Sequence, residues 1–354
     1  MRRVITTNVL ISCLLLLVVE IIGQLYYRWT DGAFLAQRYE RYVREAQAQT
    51  TVFEQHPYLV ARPRSNVSIE GGAARISTTS IHTRVTSSSS PKPDAIKVAV
   101  VGGSTTFGTK VTDSDTWPWL LQETLGDEYA VINYGVPGYS TAEAIIQMAL
   151  IVPEEKPKIV VFYQGWNDLR SYHWSGFGAD YYAHGMSQFD TLIPKVDQRA
   201  TFWTKATHYS FVMGLLNRSL GTPVGAQTRP SDRTDPEVDR IYQRNLHTLK
   251  VLARNFGMTA IFVPQVLNDD NYSKKGVSRS WTPYIEDAAV PALLRGLSGL
   301  MSEVCSPDER DCQFVGETLT ERWNGNDFVD EGHFSRQGGE KFAAILAARI
   351  RVLK

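Results

Sequence analysis

IKVAVVGGST, residues 96–105, is an apolar run that stops abruptly at two glycines and a serine. An unbroken run rich in Val and Ile is typical of a strand that is covered on both faces, as in a parallel sheet. The glycines allow the backbone to bend, so Ser104 is expected at the turn from the strand into a helix. Amides at the start of that helix lack intrahelical acceptors and can bind an anionic oxygen.

The same pattern recurs along the rest of the chain. Four further runs predict strands: YAVINYG (129–135), KIVVFYQG (158–165), MTAIFVPQV (258–266) and CQFVG (312–316). The apolar spacing between and after them predicts helices at 116–125, 141–152, 235–256, 283–304 and from 335 to the end. This alternation predicts an α/β fold, a three-layer α/β/α sandwich around an open parallel sheet. Its functional residues are expected at the carboxyl ends of the strands.

The N-terminus has a different composition. MRR is followed by an apolar run, Val4–Gly23, which is long enough for one helix to cross a hydrocarbon core of about 30 Å. Tyr26, Tyr27 and Trp29 suit a membrane interface, and no small-residue cleavage pattern is present, so we favour an uncleaved anchor over a signal peptide. Glu20 lies near one end of the run, where it can reach headgroups or contact another membrane protein. Arginines on both sides leave the orientation open.

Residues 31–95 form the second predicted region, a helical stalk and a linker. FLAQRYERYVREAQAQ (34–49) has helical spacing, whereas residues 57–95 mix short β-like pieces with Pro and Gly and end in SSSSPKPD. We therefore divide the chain into an anchor at 1–30, this stalk and linker, and an α/β domain at 96–354. Within that domain, residues 169–234 are long for a connection and are predicted to be an insertion beside the functional site.

Net charge bears on the kind of binding partner, and cysteine content bears on the cellular compartment. Lys plus Arg equals Asp plus Glu at 37 each, so nothing indicates a nucleic acid as partner. Cys305 and Cys312 bracket a polar loop, where they can form a disulfide in an oxidising compartment or remain two reduced surface cysteines. We favour a domain outside the cytoplasm, in a bacterial periplasm or its equivalent.

The sequence DEGH at 330–333 precedes the last predicted helix. Asp330 and His333 can meet across one turn, so the carboxylate can accept a hydrogen bond from one ring nitrogen. The other nitrogen then remains available to deprotonate a hydroxyl such as that of Ser104, as in a serine hydrolase. A histidine near the start of a helix is by itself more often a surface or capping residue.

GWND at 165–168 ends one predicted strand, and NYGVPGYST at 133–141 makes a tight turn after another. The Asn167 amide can donate a hydrogen bond to a developing oxyanion, although each piece alone also fits an ordinary turn. A P-loop at 103–110 is disfavoured because Lys110 stands one position later than that motif requires. The histidines lack metal-ligand spacing, so the sequence predicts no metal and no cofactor.

Four motifs, GGST, NYGVPGYST, GWND and DEGH, together resemble those of the SGNH or GDSL hydrolase family. The resemblance extends over residues 97–354. The resemblance implies a flavodoxin-like sheet and assigns roles to five positions. The implied catalytic triad is Ser104, Asp330 and His333, and the implied oxyanion hole is the Ser104 amide, Gly138 and Asn167. One position departs from the usual pattern: Gly103 stands where the family usually has Asp, as in a subgroup whose first block is GGST.

The resemblance implies a membrane-anchored, extracytoplasmic serine esterase that removes acetyl or other acyl groups from a glycan or lipid-linked glycan. Two alternatives remain: an O-acyltransferase acting on a cell-surface polysaccharide, and a non-catalytic glycan-binding subunit of a membrane assembly. Within 169–234, Arg170 can hold an anionic substrate group. Aromatic side chains there can stack on a sugar or fill a small satellite core: Trp174, Tyr181, Tyr182 and Trp203.

Overall fold

The computed structural model of the protein describes residues 2–59, 61–71, 74–180, 202–220 and 229–353. The chain divides into two compact units. One, which we call the α/β unit, consists of Thr51–Leu192 and Arg229–Lys354. The other, which we call the helical unit, consists of Met1–Thr50 and Ile193–Thr228.

Helices and strands are numbered in chain order among the described residues. The N-terminal elements are α1 (Arg2–Asp31), α2 (Leu35–Val52), β1 (Phe53–Gln55), β2 (Ala61–Pro63), β3 (Ser68–Gly71) and β4 (Ala74–Ser77). Next come β5 (Ile96–Gly102), α3 (Ser104–Phe107), α4 (Trp117–Leu125), β6 (Tyr129–Asn133), α5 (Thr141–Leu150), β7 (Ile159–Gln164) and α6 (Trp166–Leu169). The remainder are α7 (Phe202–Tyr209), α8 (Phe211–Leu220), α9 (Pro236–Asn255), β8 (Thr259–Pro264), α10 (Val290–Ser302), β9 (Cys312–Phe314), α11 (Glu317–Thr320) and α12 (Arg336–Arg351).

A five-stranded parallel sheet is the centre of the α/β unit, in the order β6-β5-β7-β8-β9. This is the flavodoxin-like order, and the predicted fold class is confirmed. Alternate side chains of each strand enter opposite cores, as on β7, where Val160 and Phe162 lie in one core and Val161 and Tyr163 in the other. Because both faces are covered, the strands are continuously apolar, which made them recognisable in the sequence.

Helices cover both faces of the sheet. Side chains of α5, α9 and α10 join one core, and side chains of α4 and α12 join the other. The predicted helix at 235–256 is confirmed as α9, with Asp235 as its N-cap accepting from the amides of Glu237 and Val238. The helix predicted at 283–304 instead begins at Val290, with Pro291 in its first turn. The residues before it form a loop in which Asp287 binds Arg279 and the amide of Lys274.

The predicted boundary at residue 95 differs from the structure, in which the α/β unit begins at Thr51. Arg84, from the predicted linker, is 1% exposed and pairs with Asp113 at 2.9 Å. It also donates to the carbonyls of Phe107 and Val111 at 2.7 Å. A buried guanidinium is tolerated when paired in this way. Local composition indicated a linker because these partners are distant in the sequence.

Cys305 and Cys312 form a disulfide that joins the chain after α10 to the first residue of β9. Their separation is seven residues, so the bond closes one short loop.

Replacing both cysteines by alanine is expected to lower the free energy of unfolding by about 2–3 kcal/mol, because the unfolded chain regains the entropy of an open loop. Urea unfolding followed by circular dichroism measures the loss. Dithiothreitol should destabilise the native protein by a similar amount and leave the double variant unchanged. Equal stability of the native and reduced proteins would contradict the expectation.

The helical unit is built on α1. Its segment Thr6–Asp31 has a mean hydropathy of 2.3 and is long and apolar enough to cross a membrane. Residues 6–19 are exposed on all sides, and the one covered face comprises Glu20, Gly23, Gln24 and Tyr27. Glu20 accepts hydrogen bonds from the Ser210 hydroxyl at 2.7 Å, the Phe211 amide at 2.9 Å and the Val212 amide at 3.0 Å. The polar partners of Glu20 are therefore Gln24 and the residues at the start of α8, all in the same chain.

Candidate active site

Ser104 is the first residue of α3, directly after β5 and the N-cap Gly103. The turn is short because Gly108, with a φ of 81°, ends the helix and donates its amide to the Ser104 carbonyl. Ser104 is only partly buried, whereas Thr105, Thr106 and Phe107 are buried. Of the three hydroxyl-bearing residues on this turn, Ser104 is thus the accessible one.

Asn167 lies in α6, immediately after β7, and its side chain is held against the Ser104 turn. Its Nδ2 donates to the carbonyl of Tyr139 at 2.7 Å. A Cβ placed on Gly103 would lie 2.3 Å from the same Nδ2, so position 103 has no room for a side chain. A side-chain amide carries two N–H donors, and one of them remains to bind a ligand beside Ser104.

The loop after β6 supplies the Tyr139 carbonyl. Gly138 precedes it with a φ of 82°, a left-handed conformation that favours glycine. The Tyr139 ring is fully buried, with its hydroxyl bonded to the carbonyl of Ala61. Gly138 and Asn167, the oxyanion-hole positions that the family resemblance implies, therefore lie on the loop after β6 and on α6, which are joined by a hydrogen bond.

Asp330 and His333 meet as their spacing predicts. The Nδ1 of His333 lies 2.9 Å from both carboxylate oxygens, and Asp330 Oδ1 also accepts from the amides of Gly332 and His333. Lys110 Nζ lies 2.8 Å from Asp330 Oδ2. Burial alone would raise the pKa of Asp330, but His333, the Gly332 amide and Lys110 together hold that pKa well below its usual range. Asp330 is therefore a carboxylate at neutral pH.

The Nε2 atom of His333 is buried and has no hydrogen-bond partner among the described residues. The edge of the Trp166 ring contacts the imidazole, with ring centroids 5.9 Å apart. Within the same described part of the chain, no hydrogen bond joins His333 to Ser104. With Nδ1 engaged by Asp330, Nε2 is the ring nitrogen that remains available to a substrate or a hydroxyl.

Gln265, just after β8, links the pieces of the site. Its Nε2 donates to Thr105 Oγ1 at 2.7 Å, and its Oε1 accepts from the Trp166 amide at 2.8 Å. Trp166 is next to Asn167 and contacts His333, while Thr105 is next to Ser104. Gln265 and Trp166 thus link the turn that carries Ser104, the motif that carries Asn167 and the loop that carries His333.

Asp168 is a fully buried carboxylate beside this cluster. Its Oδ1 accepts from the amide and the hydroxyl of Thr141, the first residue of α5, at 3.1 and 2.5 Å. Burial raises the pKa of Asp168 to about 7, against the opposing effect of these hydrogen bonds. The carboxyl therefore fastens the Asn167 loop to α5 and takes up a proton near neutral pH.

Because Asp168 binds its proton more tightly in the folded than in the unfolded protein, its contribution to stability is fully present below about pH 4 and is lost as the pH rises through about 7. Asp168→Asn keeps an oxygen acceptor for Thr141 without the charge. We expect the variant to gain about 2–3 kcal/mol relative to the native protein between pH 5 and pH 8. Urea unfolding at both pH values measures this, with the exposed Asp94→Asn as control. A gain that does not depend on pH would contradict it.

Of the predicted substrate-binding residues, the structure describes the side chains of Arg170 and Trp174. The guanidinium of Arg170 lies over the Trp281 ring at 4.2 Å, and its buried Nη1 has no hydrogen-bond partner among the described residues. Trp174 is partly exposed in the α/β unit. Tyr181 and Tyr182 lie outside the described residues. Trp203 belongs to α7 in the helical unit, and its side chain also lies outside the described part of the structure.

Several residues of the cluster were not assigned to the site from sequence: Lys110, Tyr139, Trp166, Asp168 and Gln265. Tyr139, Trp166 and Asp168 lie within recognised motifs, whereas Lys110 lies five residues after GGST and Gln265 lies near the end of the predicted strand 258–266. Lys110 lies 220 residues from its partner Asp330, so no local sequence pattern connects the two. Among the described residues, no group of three or more His, Cys, Asp or Glu side chains is positioned to hold a metal ion.

A sequence model of the GDSL-like Lipase/Acylhydrolase family matches residues 100–276, which include Ser104, Gly138 and Asn167. The chain is similar to Esterase TesA of Pseudomonas aeruginosa, with 36% identity over 72 residues. That alignment covers 20% of this chain and 36% of the esterase, so the matched part spans little more than a third of that relative.

Two solved structures are also similar. For the crystal structure of TesA, the sequence identity is 17% and the TM-score 0.42, covering 73% of this chain and 99% of that chain. For the lipase/acylhydrolase from Enterococcus faecalis, the identity is 15% and the TM-score 0.41, covering 73% of this chain and 96% of that chain.

Proposed function

The chain belongs to the GDSL-like lipase/acylhydrolase family, and from this we propose that it is a membrane-anchored ester hydrolase with Ser104 as its nucleophile. The observation that carries the proposal is the state of His333. One ring nitrogen is bound to the partly buried Asp330 carboxylate, and the other is buried without a partner among the described residues. This is the arrangement that general-base catalysis by an imidazole requires.

In the proposed mechanism, Ser104 Oγ attacks the ester carbonyl while His333 Nε2 takes the hydroxyl proton. Asp330 orients the ring and stabilises the imidazolium that forms. The carbonyl oxygen becomes an oxyanion, which accepts hydrogen bonds from the Ser104 and Gly138 amides and from Asn167 Nδ2. His333 then gives its proton to the leaving alcohol. Water, deprotonated by the same nitrogen, releases the acid and restores Ser104.

Membrane anchoring is supported by the length and hydropathy of α1. Its covered face at Glu20 and Gly23 packs against α8, so cleavage after the apolar run would leave α8 without its partner. This favours an uncleaved anchor. The disulfide between Cys305 and Cys312 favours an oxidising, extracytoplasmic compartment for the α/β unit.

For the substrate, we propose an acylated glycan or lipid-linked glycan. Support comes from the aromatic content of residues 169–234, which follow the GWND motif directly, and from the contact between Arg170 and the Trp281 ring. An aromatic ring can stack on a sugar face, and a guanidinium can hold an anionic substituent.

The proposed esterase activity and the proposed nucleophile, Ser104, are tested on the full-length protein in detergent. Release of p-nitrophenol from p-nitrophenyl acetate without an added acceptor supports hydrolysis, as does covalent labelling of Ser104 by a fluorophosphonate. Turnover that requires a glycan acceptor would favour acyl transfer. Absence of both turnover and labelling would leave a glycan-binding subunit as the better account.

A further inference from the structure

The depth of α1 in a bilayer follows from its length. A hydrocarbon core of about 30 Å takes up about 20 helical residues. Arg2 and Arg3 bound one end of the apolar run, so the core extends from about Val4 to about Gly23. On the proposed membrane anchoring, Glu20 then lies within about one helical turn of the far hydrocarbon boundary.

A carboxylate at that depth is costly unless it is paired. Glu20 receives hydrogen bonds from the Ser210 hydroxyl and from the first two amides of α8. These amides also form the positive end of the α8 dipole, which favours a negative charge. A Cβ on Gly23 would lie 2.1 Å from the Phe211 ring, which shows how closely α8 approaches α1 at the same level. The start of α8 therefore lies at the same depth in the bilayer as residues 20–23 of α1.

The composition of α8 suits that environment. Residues 211–216 are FVMGLL, six consecutive apolar residues. Part of this surface is not covered by the protein: Leu215 is 42% and Leu216 48% exposed. Exposed leucines beside a lipid-facing helix continue its apolar surface, whereas in water they would form an uncovered apolar patch.

Aromatic side chains of the helical unit lie near the depth of residues 20–23 and the start of α8. Tyr26 is 54% and Trp29 84% exposed on α1, and Tyr209 is 38% exposed at the end of α7. Tyr39 of α2 stacks on His208, with ring centroids 4.6 Å apart. Amphipathic rings of this kind concentrate where hydrocarbon meets headgroups.

We propose that α8 is a second membrane-contacting element, which lies in the hydrocarbon–headgroup boundary beside α1 and presents Leu215 and Leu216 to lipid acyl chains. Its partner is the bilayer itself. Because α8 belongs to the segment that leaves the α/β unit after Leu192 and returns at Arg229, the chain of that unit is tied to the membrane there as well as through α1. The inference rests on the proposed anchoring but not on the proposed chemistry.

The test uses the full-length protein with Cys13 replaced by alanine and one cysteine introduced for an environment-sensitive fluorophore. Separate proteins carry the label at Leu216, at Leu16 within the apolar run, and at Val352, which is 78% exposed near the C-terminus. Each is reconstituted into vesicles of phosphatidylcholine and phosphatidylglycerol. The phosphatidylcholine carries a nitroxide at a shallow or a deep acyl carbon, or no nitroxide. Ester hydrolysis by each protein is measured separately.

We expect the Leu216 label to lose fluorescence to the shallow nitroxide more than to the deep one, at a depth of about 5–10 Å below the headgroups. The Leu16 label should respond more to the deep nitroxide, and the Val352 label to neither. Quenching at Leu16 but not at Leu216 would overturn the inference and leave the anchor intact. No quenching at Leu16 would overturn the anchor and the inference together, whatever the esterase activity.

Discussion

Ser104→Ala is expected to lower kcat for p-nitrophenyl acetate by about 10⁴- to 10⁶-fold, because it removes the only atom that forms the proposed acyl-enzyme bond. Binding and the oxyanion hole would remain, so KM should change much less than kcat. Steady-state kinetics with the full-length protein measure both constants.

The control is Ser89→Ala, an exposed serine outside the site, which should keep full activity. Circular dichroism and thermal unfolding should show that Ser104→Ala is folded, since the hydroxyl belongs to a partly exposed side chain. If Ser104→Ala retained native turnover, the proposed nucleophile would be wrong. Residual activity close to zero with intact folding would support it.

Gly103→Ala is expected to lower kcat by about 10²-fold, which approaches the effect of removing an oxyanion-hole donor outright. The reason is steric. A methyl group at this position would lie 2.3 Å from Asn167 Nδ2, and Asn167 is held there by the Tyr139 carbonyl. The backbone is not the obstacle, because Gly103 has a φ of −87°, which any residue adopts. The Asn167 side-chain amide must therefore move away from Ser104 when position 103 carries a methyl group.

A double-mutant cycle checks this cause. Because Gly103→Ala and Asn167→Ala act on the same donor, the double variant should lose little more activity than Asn167→Ala alone. Gly299→Ala is the matched control, since a Cβ there meets no atom within 4 Å. It should be as active as the native protein. Fully additive losses at positions 103 and 167 would mean that Gly103 acts by some other route.

The contact between position 103 and Asn167 also explains why this chain has Gly103 where the family usually has Asp. Where the family usually has Asp before the nucleophile, this backbone brings Asn167 against position 103 and leaves no space for a side chain. Glycine is therefore required by the packing of the GGST motif against the GWND motif. Its presence is compatible with a working oxyanion hole.

Much of this architecture was accessible from local sequence. Strands buried on both faces must be continuously apolar, so the runs at 96, 129, 158, 258 and 312 predicted the parallel sheet. Asp330 and His333 were predictable as a pair because they are three positions apart, a spacing that one turn of chain can close. The apolar length of α1 is likewise a property of consecutive residues.

Contacts between distant residues were decided only by the tertiary structure. Lys110 meets Asp330, Arg84 binds the loop after Ser104, and Glu20 binds the start of α8, and no local pattern encodes any of these pairs. A buried charge needs a partner, but the sequence does not say which one, since the partner is chosen by how the chain folds back on itself. Consecutive residues thus determined which elements form and which motifs follow them, whereas the folded chain decided which side chains those elements bring together.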